Sequence, residues 1–160
     1  MNGFSKDNYI IDQDYFGEYL YRTIKSSRNG CGWIAVYNLK HYLFGETDFD
    51  CIRKEMDTMH KIRMPGPTKM TIMRKYFKKY IPNFKEYHGR QKVIDIAKKS
   101  SAGIFRYYEE KIPHFVFFCK QDGNMYRFMN VNDGLEDFYS KIDDFAKSHF
   151  MFGTYILLVI

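Results

Sequence analysis

Three side chains in this sequence have the types and placement for acyl chemistry: a thiol, an imidazole and a carboxamide. Cys31 stands in "NGCGWIAVYN", between Gly30 and Gly32, where an apolar run to Phe44 begins. A thiol attacks a carbonyl only as thiolate. The unpaired N–H groups at a helix N-terminus favour that form, so a pKa below the free value of about 8.5 is expected for a cysteine heading a helix. The two glycines would leave the flanks clear for a substrate backbone to approach the sulfur. Cys51 falls within a helical stretch on another face and Cys119 within a strand, and both read as packing residues.

A nucleophilic cysteine needs a base, ordinarily histidine, oriented by a third group. His41 is ten residues along the same helix, about 15 Å of rise from the thiol and out of reach. His60 and His149 fall in other helices, where solvent exposure is the ordinary setting, and His88 lies in the turn-like "YHGR". His114 follows Pro113 and opens the strongest strand of the chain, "HFVFFC". The strand "MYRFMNVN" follows across "KQDGN". A three-residue Gln121-Asp122-Gly123 loop, with glycine in the left-handed bulge position, closes Lys120 against Asn124 and sets Asn130 opposite His114. A two-residue Asp-Gly loop would put Val131 there instead, which offers the ring no polar partner. Asn130 is therefore the expected orienter, and Asn132, on the same face one diagonal step on, is the fallback.

The elements that must hold these groups are legible from periodicity. A short helix is possible across 12–25. The run from Gly32 to Phe44 is apolar on nearly every face, interrupted by Asn38, Lys40 and His41, and Gly45 ends it, so this helix is expected to be buried. Thr47 or Asp48 can cap a second helix over 49–62. A third spans Thr68 to Tyr80, stopped by Pro82, and a fourth covers 90–100. Short aromatic and β-branched runs then predict strands at 102–109, 113–120, 125–131 and 153–160, with a helix over 141–150 before the last. Helices first and strands later make an α+β fold, with an antiparallel sheet packed on the buried helix. No repeat or linker divides the chain, so 1–160 reads as one domain with residues 1–25 as an N-terminal lead.

Composition narrows the class. The chain has 160 residues, 45% hydrophobic and 19% aromatic, enough for a packed core. The net charge of +6 is scattered, and "MRKYFKKYIPNFK" reads as one solvated helix face, so nucleic acid is not an expected partner. Three cysteines without paired spacing argue against a disulfide framework and against a structural zinc site, and no metal or cofactor is expected. No signal peptide is visible and "YILLVI" is too short to span a bilayer, so the expectation is a cytoplasmic protein without a membrane partner.

"NGCGWIAVYN", then "PHFVFF" and "YRFMNVN", resembles the papain-like cysteine peptidase superfamily, above all its compact bacterial branch that includes the peptidase domains of bacteriocin exporters. The likeness runs from residue 25 nearly to the C-terminus. It implies Cys31 as nucleophile heading a central helix, His114 as general base and Asn130 as orienter, with a peptide or protein as substrate. It also implies an oxyanion donor six residues before the cysteine, normally Gln. That position is Lys25 here, which leaves the backbone N–H of Cys31 and the side chain of Asn29 as the candidate donors. The same triad would serve acyl transfer to an amine, as in a transglutaminase-like enzyme. A catalytically weak homologue that only binds peptides is the third reading.

Overall fold

The computed structural model of the chain describes residues 3–62, 64–131, 138–150 and 156–159, and the side chains of 156–158 are not described. A 3₁₀ turn, Gln13–Phe16, is followed by a two-stranded hairpin of β1 (Leu20–Tyr21) and β2 (Ile24–Lys25). Helices α1 (Ser26–Asn29), α2 (Cys31–Phe44), α3 (Phe49–Met59) and α4 (Met70–Tyr80) come next. Then come β3 (Lys85–His88), α5 (Arg90–Ala97), β4 (Ala102–Glu109), β5 (Ile112–Lys120), β6 (Tyr126–Met129) and β7 (Phe138–Ser140). The chain closes through α6 (Ile142–His149) and β8 (Ile156–Val159). The expected α+β layout is what is seen: β3-β8-β4-β5-β6-β7 form one antiparallel sheet, and α2 packs on β5 and β4.

Both faces of the sheet are covered. Ile104, Phe115, Phe117, Cys119 and Met129 join the core around α2, while Phe105, Val116, Phe118 and Phe128 join that of α5 and α6. A strand buried on both sides has no solvent face on which to place polar residues, and that is why "FVFFC" is continuously apolar instead of alternating. On the second face the rings of Phe128 and Phe145 stack with centroids 4.0 Å apart. Among the described residues, no helix is long and apolar enough to cross a membrane.

Helix α2 is buried from Cys31 to Leu39, and its last turn surfaces, with Phe44 63% exposed. Asn38, a polar interruption in the apolar run, is fully buried because it binds backbone: its side chain accepts from Ile10 N and donates to Ile10 O, both at 2.8 Å. Tyr37 Oη donates to Asn8 O at 2.8 Å, and Arg127 pairs with Asp7 at 2.6 Å. These contacts tie the N-terminal lead to α2 and to β6.

Several boundaries differ from expectation, each for a local reason. Most of 12–25 is not helical; Asp12 caps only a 3₁₀ turn, and Arg22 and Thr23, at φ 50 and 71, turn the hairpin. Helix α4 begins at Met70, not Thr68, since Thr68 is buried with its hydroxyl on Tyr21 Oη at 3.1 Å. The β5–β6 register is offset as well. Lys120 pairs with Tyr126 and Phe117 with Met129, so each β5 residue faces one two positions beyond the expected partner. The loop is Asp122–Asn124, closed by Gln121 N to Met125 O at 2.9 Å, with Gly123 left-handed at φ 64. A two-residue slip keeps every side chain on its face but changes who stands opposite whom. Positions 153–155 and 160 of the last expected strand, and the fallback orienter Asn132, lie outside the described residues.

Candidate active site

The thiol is positioned at the head of α2, whose first backbone bond runs from Ile34 N to Gly30 O at 3.0 Å. One helical turn, α1, runs directly into it through Gly30, whose backbone is itself right-handed helical and whose N–H bonds Ser26 O at 2.7 Å. The setting of Cys31 is completed by what faces its side chain. What faces it is His114. The Cys31 sulfur lies near enough to the imidazole to favour its protonated form. Both residues are 4% exposed.

The ring is held from two further sides. Nε2 of His114 donates to the backbone oxygen of Asn130 at 2.7 Å. A carbonyl can only accept, so Nε2 keeps its hydrogen in the neutral ring and Nδ1 is the nitrogen with a free lone pair. Tyr107, paired with His114 across β4 and β5, meets the ring edge-on with centroids 5.6 Å apart. Burial pulls the His114 pKa down. The Cys31 sulfur, then Glu109 and the Asn130 carbonyl, favour the cation and carry it net above its ordinary value.

The expected orienting role of the Asn130 side chain is corrected by this geometry. Asn130 adopts φ 67, a left-handed conformation that asparagine tolerates better than most residues, and leaves the β6 ladder there. Its carbonyl, not its amide, meets the imidazole. The side chain instead engages Gln13: Oδ1 accepts from Gln13 N and Nδ2 donates to Gln13 Oε1, both at 3.0 Å.

The expected donor role of the Asn29 side chain is corrected too. Its Nδ2 already gives both hydrogens to carbonyls, Tyr21 O at 2.7 Å and Gly66 O at 3.1 Å. The atom left over, Oδ1, is an acceptor without a partner among the described residues and cannot stabilise an oxyanion. Lys25, at the position of the expected Gln, is exposed in β2. The glycines beside Cys31 also serve the protein's own packing. A Cβ on Gly32 would lie 2.2 Å from Thr68 Oγ1, and one on Gly30 would lie 2.5 Å from Ser26 O.

The other two thiols have different surroundings. Cys51 is exposed on α3. Burial pushes the Cys119 thiol up to about 11, which keeps it an inert packing residue near neutrality.

A second polar cluster escaped sequence reasoning. His60 and His149 are buried, not solvated. His60 ends α3, and its Nε2 accepts from the buried Tyr21 hydroxyl at 3.0 Å, with Thr68 donating to that hydroxyl in turn. Burial, with Arg22 nearby, pulls His60 down to about 4, so it is a neutral acceptor. Burial is the main influence raising the Tyr21 phenol, with a smaller one from nearby Cys31. Nothing in the run "MDTMHKI" distinguishes this buried histidine from an exposed one.

Among the described residues, no group of three or more His, Cys, Asp or Glu side chains is placed to hold a metal ion. A concavity of about 540 Å³ lined by Phe4, Tyr37, His41 and Asp48 lies at the far end of α2 from the thiol. No protein-family model matches the chain, and no characterised protein matches its sequence.

Proposed function

We propose that the chain is a papain-like cysteine peptidase working through Cys31 and His114. The observation that carries this reading is a buried thiol near a buried imidazole whose tautomer is set by the Asn130 carbonyl. In the forward step Nδ1 of His114 takes the Cys31 proton as the sulfur bonds to the substrate carbonyl carbon. The imidazolium then gives that proton to the departing amine nitrogen, the C–N bond breaks, and a thioester to Cys31 remains. A water molecule, deprotonated by the same nitrogen, attacks the thioester. The collapse releases the acid and returns the proton to sulfur. The Cys31 backbone N–H is the donor retained for the oxyanion, and losing a second donor ordinarily costs about 10²–10³ in rate.

A weak or non-hydrolytic peptide binder is the second reading. It is favoured by one specific observation: the Asn29 amide is spent on two backbone carbonyls, and the position of the expected Gln holds Lys25. Transfer of the acyl group to an amine uses the same thioester and differs only in the acceptor. The test is to incubate the protein with a panel of activated peptide esters and follow intact mass after acid quench. The peptidase reading predicts an acyl adduct on Cys31 that decays in water, absent in Cys31→Ala. An adduct that forms and decays only on added amine favours the transferase. Failure of any ester to acylate Cys31 overturns the enzyme readings.

A further inference from the structure

Gln13 sits in the 3₁₀ turn of the N-terminal lead, 117 residues before Asn130, yet its polar atoms are spent on the two halves of the site. Towards the sheet, its backbone N–H and Oε1 take up both polar atoms of the Asn130 side chain. Towards the helix, its Nε2 donates to Ser27 O at 2.9 Å, in the turn that runs into Cys31. Gln13 is 9% exposed and Asn130 3%. We propose that Gln13 is a positioning residue that sets the imidazole of His114 against the thiol of Cys31 by fixing Asn130 to α1.

This positioning role rests on the proposed nucleophile–base pair and on the direction of the bonds. His114 is oriented by a backbone carbonyl, and that carbonyl faces the ring only while Asn130 holds its left-handed turn at the end of β6. A single residue leaving a ladder is ordinarily the mobile end of a strand. Here two hydrogen bonds to Gln13 anchor it, and the amide dipoles of Asn130 and Gln13 point the same way, Nδ2 to Oε1 and Nε2 to Ser27 O. In a buried chain of this kind each bond polarises the next. The lead thereby becomes part of the site through Gln13.

Gln13→Met keeps the length of the side chain and the backbone bond to Asn130 but removes both side-chain arms. Gln13→Glu keeps an acceptor for Asn130 and sets a carboxylate oxygen against Ser27 O. The readouts are the His114 tautomer, from long-range ¹⁵N spectra of the ring, and the iodoacetamide alkylation rate of Cys31 at pH 7. The wild type is expected to show one Nε2–H tautomer. Gln13→Met is expected to show a mixture and to alkylate at least about tenfold more slowly, within the roughly hundredfold that an ångström of misplacement can cost. Gln13→Glu is expected between the two, and it carries the test alone if Gln13→Met does not fold. Wild-type tautomer and rate in the folded variants overturn the proposal. His114→Gln separates this from the underlying reading. If it slows Cys31 while the Gln13 variants do not, the positioning role alone fails; if it leaves Cys31 unchanged, the pair itself fails and the positioning role with it.

Discussion

The imidazole of His114 donates from Nε2 to the main-chain oxygen of Asn130 at 2.7 Å, across a separation of sixteen residues. An acceptor that belongs to the backbone cannot be deleted by substituting the side chain. What a substitution changes is whether the backbone keeps its left-handed turn.

Asn130→Gly and Asn130→Ala should therefore behave differently. Both lose the bonds to Gln13, but glycine adopts φ 67 freely while alanine pays for it with about 1 kcal/mol of strain. Urea denaturation should show Asn130→Ala less stable than Asn130→Gly by about that amount. Equal stability of the two would mean that the turn does not set the residue preference.

His60 predicts a stability change with pH. Its folded pKa of about 4 lies below the ordinary 6.5, so the unfolded chain takes up the proton first as pH falls. The contribution of a neutral His60 is intact above about pH 6.5 and shrinks progressively down to about pH 4, by up to about 3 kcal/mol. Urea midpoints measured from pH 7.5 to 4 in wild type and His60→Gln should differ in slope across that window. Parallel curves would contradict the assignment of His60 as a buried neutral acceptor.

Asp7 acts in the opposite direction. The Arg127 guanidinium beside it holds its carboxyl at about 2, below the ordinary 3.8. Its stabilisation is therefore present above pH 3.8 and disappears as pH falls through about 2. The carboxylate is 55% exposed, so water screens the pair and the contribution is below about 1 kcal/mol. Asp7→Asn should cost that much at pH 7 and nothing below pH 2, measured by thermal unfolding in low salt. A difference that persists unchanged at pH 2 would show that the ion pair is not its source.

Much of this architecture was legible because it follows from local chemistry. The apolar run after Cys31, ended by Gly45, reads as a buried helix, and "HFVFFC" reads as a strand, though coverage of both its faces is seen only in the fold. The partner of His114 was not legible in the same way. Moving the loop from Gln121–Gly123 to Asp122–Asn124 shifts the register by two residues, and the alternation of side chains is blind to a shift of two. The left-handed turn at Asn130 also leaves no mark on composition, nor does its choice of carbonyl over amide. Gln13 was invisible for a plainer reason: its partners at Ser27 and Asn130 are brought to it only by the tertiary fold. The glycines around Cys31 suggested room for substrate, and the structure gives that room to Thr68 and Ser26.

The most direct test of the proposed Cys31–His114 pair is the alkylation of the three thiols, followed residue by residue by mass spectrometry at pH 7. Cys51 is exposed, the Cys119 thiol is pushed up to about 11 by burial, and Cys31 has the His114 imidazole near it. Despite being 4% exposed, Cys31 is predicted to react first with iodoacetamide, and His114→Gln to slow it at least about a hundredfold, the lower end of what a lost general base costs. The contrary result is Cys31 reacting no faster than the exposed Cys51, with a rate indifferent to His114→Gln. That outcome would make Cys31 a packing residue and His114 a satisfied core histidine.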